Sequence, residues 1–154
     1  MRKGSKVIGI DPGFSGALAF YDGKLQNAVD MPCHGEGTKR GIDCARLAEL
    51  IREFDPQAVF LERVHAMPGQ GVASMFRFGE SFGAVRGVVG ALQITIYLIT
   101  PQKWKKALGL PKEKEAARRK ATEMFPKQAA IFARKMDGGR AEAALLAWYG
   151  SRIV

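Results

Sequence analysis

The sequence predicts an α/β fold: a five-stranded mixed sheet, an antiparallel N-terminal meander joined to parallel strands, with helices on both faces. Two short apolar runs and a returning segment, separated by turn residues, open the chain, as a meander requires. Residues 58–61, Ala-Val-Phe-Leu, are apolar without alternation, the pattern of a central strand covered on both sides. From residue 43 onward, segments at helical spacing alternate with strand-like runs, so helical crossovers pack on the sheet.

Residues 6–10 form a β-branched run that Pro12-Gly13 interrupts. Residues 16–21 read as the second strand, Asp22-Gly23 as a tight hairpin turn and residues 24–31 as the returning third strand. Residues 32–41, rich in glycine and charge, read as a mobile loop. Asp43 suits a helix start, and Ala45, Leu47, Ala48, Leu50, Ile51 and Phe54 keep helical spacing until Asp55-Pro56 stops them. Beyond the strand at 58–61 lie a loop at 66–71 and a long helix at 72–92. In that helix Gly79, Gly83 and Gly87 recur every fourth residue and share one face, where either the sheet or a second subunit can approach closely. Residues 94–99 read as a strand, and Pro101 suits the first turn of a short helix containing Trp104. Residues 112–124 read as a basic helix stopped by Phe125-Pro126, and Gly138-Gly139 precedes a last helix at 140–149. No repeat or low-complexity segment breaks this order, and residues 1–154 read as one domain.

At 154 residues and 47 % apolar content, the chain can bury a globular core. No apolar run approaches the roughly 20 residues of a membrane helix. The basic start turns acidic too soon for a signal peptide, and Cys33 and Cys44 belong to no CxxC pair. A cytoplasmic protein with reduced thiols, in a bacterial cell or a phage-infected host, is expected. The net charge of +9 is uneven: residues 101–135 hold 11 Lys and Arg against 3 Asp and Glu, whereas residues 1–100 hold 11 against 10. Charge concentrated in this way attracts a polyanion, nucleic acid above all, although it also serves as a solvated face.

Four acids carry the chemistry. Asp11 closes the first strand, Glu62 closes the run at 58–61, and Asp137 and Glu142 lie at the start of the last helix. Side-by-side pairing of the first and fourth strands sets Asp11 and Glu62 at one end of the sheet, where the last helix can deliver Glu142 and Asp137. Clustered carboxylates without basic partners stay ionised only with cations, and oxygen-only sets select Mg²⁺, with Mn²⁺ as a substitute. Two such ions roughly 4 Å apart suit in-line attack on a phosphodiester, one activating water and the other stabilising the leaving oxygen. Each acid also has a structural reading: a turn residue at Asp11, a first-turn acid at Glu142, a helix cap at Asp137. Glu62 is the hardest to explain in that way, because charged residues rarely close a buried strand.

These residues resemble the RuvC family of Holliday junction resolvases, from Val7 to about Trp148. Ile8-Gly9-Ile10-Asp11-Pro12-Gly13 is similar to the family's opening strand and turn, and Leu61-Glu62-Arg63-Val64 to its second acidic strand end. Gly71, Ser74, Phe78-Gly79 and Gly87 resemble the helix that follows. Thr100-Pro101-Gln102-Lys103-Trp104-Lys105 and Lys112-Glu113-Lys114 fall in the basic segment, and Arg140-Ala141-Glu142-Ala143-Ala144-Leu145-Leu146-Ala147 resembles the closing helix. The Pro68-Gly69-Gln70-Gly71 loop resembles variants carried by phages and prophages.

The resemblance implies a ribonuclease-H-like fold, a homodimer, Mg²⁺ and a four-way DNA junction nicked once by each subunit. It implies Asp11, Glu62 and Glu142 as catalytic metal ligands. Asp137 departs, because the family's fourth acid sits three or four residues before the last one, where this chain has Gly139 and Gly138. Either Asp137 serves from a shifted loop or the site has three protein acids. Lys103, Lys105, Lys106, Lys112, Lys114 and Arg118 would line a channel for phosphates. His65 stands where relatives place an aromatic that stacks on junction bases; stacking, proton transfer and a plain loop position are its readings. Trp104 reads as a core anchor.

Three other functions compete. Another nuclease of this fold, acting on RNA–DNA hybrids or other branched DNA, needs the same acids. An actin-like ATPase shares the turn at 10–16 but needs two lobes, more than 154 residues supply. A non-catalytic junction binder explains the lysines but leaves the acids as a liability against DNA.

Overall fold

A computed structural model describes residues 4–64 and 68–154. Strands β1 (Lys6–Asp11), β2 (Ala17–Asp22) and β3 (Leu25–Asp30) form the expected meander. The segment read as a mobile loop is instead a small hairpin, β4 (Cys33–His34) with β5 (Gly41–Ile42). It is docked from both sides: Arg77 Nη2 of another segment donates to Gly37 O at 3.0 Å, and the hairpin's own Arg40 donates from Nη2 to Phe14 O at 3.1 Å. Composition shows the glycines of this stretch but not these long-range bonds.

Helix α1 (Cys44–Phe54) starts at Asp43, whose carboxylate accepts from Arg46 N at 3.0 Å, and ends at Asp55 in the left-handed region with φ 54°. Strand β6 (Ala58–Glu62), helix α2 (Val72–Ala91), strand β7 (Thr95–Ile99) and helix α3 (Pro101–Ala107) follow. Helix α4 (Ala116–Met124) starts four residues later than expected, and α5 (Gly138–Ile153) starts two residues earlier and runs longer. Short 3₁₀ turns at 126–132 and 135–137 join them, where only a proline stop is expected from the residues. Among the described residues, no helix is long and apolar enough to cross a membrane.

The sheet order is β3-β2-β1-β6-β7, with β1-β6 and β6-β7 parallel, so the two strands that end in acids are neighbours near the centre. Ile8, Ile10, Val59 and Leu61 face α1 and α2, while Val7, Ala58 and Phe60 face α5. This double burial is why both strands lack polar alternation.

Two glycines let α5 lie directly on the sheet. A Cβ at Gly9 would sit 2.3 Å from Ala143 O, and one at Gly150 would sit 2.3 Å from the Phe60 ring. On α2 the opposite holds. Ser81, Val85 and Val89 are its buried residues, and at about 100° per residue Gly79, Gly83 and Gly87 lie on the far side. A Cβ at any of the three meets nothing within 4 Å, so packing of these glycines on the sheet is ruled out.

Candidate metal centre

In the parallel register Ile10 pairs with Leu61, so Asp11 and Glu62 leave adjacent strand ends side by side. Each follows by two residues a position that faces α5, namely Gly9 and Phe60, and a strand's side chains alternate. Both carboxylates therefore project toward α5. The close approach at Gly9 lets Glu142, in the second turn of α5, meet them. One carboxylate oxygen from each of Asp11, Glu62 and Glu142 lies within 4.8 Å of the other two.

Two consecutive residues of α3 hold this cluster. The fully buried Trp104 donates its indole Nε1–H to Glu62 Oε2 at 3.0 Å. Lys105 Nζ sits 3.3 Å from Glu142 Oε1. Pro101 in the first turn and the Thr100 side chain, which accepts from Lys103 N, fix where α3 begins and thus where both groups fall. Glu142 keeps 27 % of its side chain exposed, which leaves the cluster open to solvent on one side.

The electrostatics are those of a cation site. Burial, then the charges of Glu142 and Glu62, hold the Asp11 carboxyl well above the usual carboxylate range. Burial and the Glu142 charge push Glu62 up from 4.5 to about 7, against the opposing pull of the Trp104 N–H and Lys105. Among the described residues the three carboxylates share one nearby ammonium, so negative charge remains unbalanced, and an all-oxygen donor set of this kind fits a hard divalent cation.

Asp137 is not brought into the cluster. It is buried, and its oxygens accept from Arg134 N at 2.8 Å, Arg134 Nη2 at 2.8 Å and Arg134 Nε at 3.0 Å. Burial raises this carboxyl, but the Arg134 bonds outweigh it and the group ends below its usual range. The side chain closes the 3₁₀ turn before α5 and makes no capping bond to α5 itself. Nor can Gly139 carry a side chain in its place: a Cβ there would lie 2.5 Å from Ser15 O.

Of the basic residues, Lys105, Lys112 and Lys114 line a cavity of about 270 Å³ together with Glu142. Lys103 and Lys106 are exposed on α3. Arg118 turns inward, donating to Phe132 O at 3.0 Å and Ala133 O at 2.6 Å and pairing with Glu115, and so anchors the 126–132 turn. His65 lies outside the described residues. Sequence reasoning missed the residues around Phe14, whose ring carries the guanidinium of Arg77 at 4.9 Å and of Arg40 at 5.5 Å. An aromatic directly after Asp11-Pro12-Gly13 was the one signal available.

No protein-family model matches the chain. The crossover junction endodeoxyribonuclease RuvC of Chlorobium chlorochromatii is 30 % identical over 116 residues, covering 66 % of this chain. The chain spans 57 % of that relative's length. Among solved structures, Thermus thermophilus RuvC in complex with Holliday junction substrate superposes with a TM-score of 0.66 at 21 % identity, over 97 % of this chain and 96 % of that one. The yeast mitochondrial Holliday junction resolvase Ydc2 gives 0.62 at 16 % identity, over 97 % and 79 %. The chain is therefore RuvC-like, in fold along nearly its whole length and in sequence over the matched part.

Proposed function

We propose that this chain is a divalent-metal-dependent endodeoxyribonuclease that resolves four-way DNA junctions by paired symmetric nicks. The observation that carries this is the convergence of Asp11, Glu62 and Glu142 beside a lysine-lined cavity. The name of the Chlorobium relative and the junction bound to the Thermus protein support the substrate class.

Mg²⁺, or Mn²⁺ in its place, at two ions per site, supplies Lewis acidity and charge compensation for in-line phosphodiester hydrolysis. Asp11, Glu62 and Glu142 would hold the ions. Trp104 fixes one oxygen of Glu62, so that carboxylate meets its ligand in a preset orientation. Lys105 offsets the Glu142 charge and, with Lys103, Lys106, Lys112 and Lys114, draws the DNA backbone to the site. Asp137 and Arg118 act structurally in this reading, and the site has three protein acids. His65, outside the described residues, is assigned to DNA contact from its place in the sequence alone.

Paired nicks need two sites, and the glycine face of α2 offers a two-fold contact. Val72 and Phe76 are 86 % and 70 % exposed on the same stripe as Gly79, Gly83 and Gly87. In a symmetric dimer, these side chains of one copy can seat over the partner's glycines. The protein works in the cytoplasm of a bacterial cell or phage-infected host.

The test is cleavage of synthetic four-way junctions, flaps and RNA–DNA hybrids with Mg²⁺ or with chelator. Symmetric paired nicks confined to junctions and abolished by chelator are expected. Glu62→Gln should end cutting while junction binding persists. Hybrid cleavage, or cutting without divalent ions, rejects the proposal.

A further inference from the structure

The geometry points to a nucleobase pocket beside the metal centre, formed between the turn after β1 and the start of α2, which reads one base of the cleaved strand. This rests on the resolvase reading of the site. A cavity of about 350 Å³ lies there, lined by Gly13, Phe14, Ser74, Arg77, Phe78 and Ser81. No acidic residue lines it among the described residues. Gly13 and Phe14 follow Asp11 by two and three residues, so at 3.8 Å per residue they lie within roughly 11 Å of it. Stacked DNA rises about 3.4 Å per nucleotide, which puts the pocket within about three nucleotides of the scissile phosphate.

Its lining suits a base. The Phe78 ring supplies stacking surface, and the Ser74 hydroxyl and the Arg77 guanidinium supply edge contacts. The pocket is also held in shape. Arg40 and Arg77 flank the Phe14 ring, Arg40 bonds Phe14 O, and Ser81 Oγ donates to Arg77 O at 3.0 Å. Arg77 gives Nη2 to Gly37 O and retains further N–H groups for base acceptors. The pocket residues of α2 lie on the opposite side of that helix from the glycine stripe, so a dimer formed there leaves the pocket open. The lysines approach from the α5 face of the sheet and this pocket from the α2 face. A strand crossing the carboxylates therefore meets phosphate contacts on one side and base contacts on the other.

Two measurements test this. Glu62→Gln protein is bound to uncut four-way junctions carrying iodouracil at single positions around the branch point, irradiated, and its crosslinks mapped by mass spectrometry. Crosslinks to Phe14 or Phe78 from positions next to the cut site are expected. Wild type, Arg77→Ala and Arg77→Lys are then profiled on a junction library with randomised flanking bases. Wild type should prefer one base at the crosslinked position, and both variants should flatten that preference about tenfold. Crosslinks confined to other residues, or an unchanged preference in both variants, overturn the pocket. If junctions are neither bound nor cut while flaps or hybrids are, the resolvase reading fails, and the same crosslinks on the active substrate judge the pocket separately.

Discussion

Glu62→Gln should make the metal-free protein more stable at the same time as it removes cleavage. Glu62 is 7 % exposed, and its carboxyl is raised from 4.5 to about 7 in the folded state. For an acid whose folded value lies above its unfolded value, the folded state binds more protons between the two, so stability falls as pH rises through that window. From these two values, ionised Glu62 costs about 3 kcal/mol at pH 8 and less than about 1 kcal/mol at pH 5. Glutamine carries no charge, and its amide oxygen can still accept the Trp104 N–H. In a chain of this size, 1 kcal/mol moves Tm by roughly 2–4 °C, so the variant should melt several degrees higher than wild type in chelator at pH 8. At pH 5 the gap should nearly close. Saturating Mg²⁺ should stabilise wild type and reverse the order. The assay is thermal denaturation followed by circular dichroism at the two pH values, with chelator and with Mg²⁺. A variant that melts lower than wild type in chelator at pH 8 would refute the reasoning, because the three carboxylates would then not be in conflict.

Other substitutions separate the roles assigned above. Trp104→Phe keeps most of the buried ring but drops the N–H bond to Glu62; Mn²⁺ affinity measured by calorimetry should weaken about tenfold, the scale of lost outer-shell contacts. Asp137→Asn loosens the Arg134 grip and should lower stability by about 1–3 kcal/mol with Mn²⁺ affinity unchanged. A loss of metal binding at unchanged Tm would instead return Asp137 to the ligand set. Gly139→Ala drives a methyl toward Ser15 O and should cost about 1–3 kcal/mol, whereas Gly138→Ala, with nothing within 4 Å, should be neutral or mildly stabilising. Equal melting of the two alanine variants would show that α5 does not press on the β1–β2 turn.

The order of elements and the sheet were legible because strong local signals agreed with the global arrangement. The apolar runs at 7–10 and 58–61 lack polar alternation because helices cover both faces of the central strands, and Asp22-Gly23 turns the hairpin where expected. Glu62 stood out as a charge closing a buried strand, and Asp11 as the acid at the end of the first strand. What stayed hidden depends on contacts between distant segments. The hairpin at 33–42 is held by arginines whose partners lie 26 and 40 residues away. The Trp104 bond to Glu62 spans 42 residues, so the sequence reveals a core tryptophan but not the carboxylate it orients. The face of α2 that carries three glycines was visible; that it turns away from the sheet depends on where Val85 and Val89 are buried.

The site is set less by the acids themselves than by how closely α5 can approach the strands that carry two of them. A helix usually packs on a neighbour at interaxial distances of 8–10 Å, kept apart by side chains. Here Gly9 contributes no side chain, and Ala143 and Ala147 lie against it across the interface. Gly150 lets the Phe60 ring fit beneath the far end of the helix, and Gly139 lets its near end rest on the β1–β2 turn. These three positions fix height and tilt along α5, and Glu142 lies between Gly139 and Gly150. Glu142 can then bring one carboxylate oxygen within 4.8 Å of one from each of Asp11 and Glu62. The same closeness rules out a side chain at Gly139, so the contact that brings in the third acid also excludes a fourth at that position. Charge balance falls to Lys105, which pairs with Glu142 from α3 on the open side of the cluster. Phosphate arriving there competes with Glu142 for this ammonium, and a cation that neutralises Glu142 releases it. Metal loading and backbone binding should therefore favour each other through one lysine.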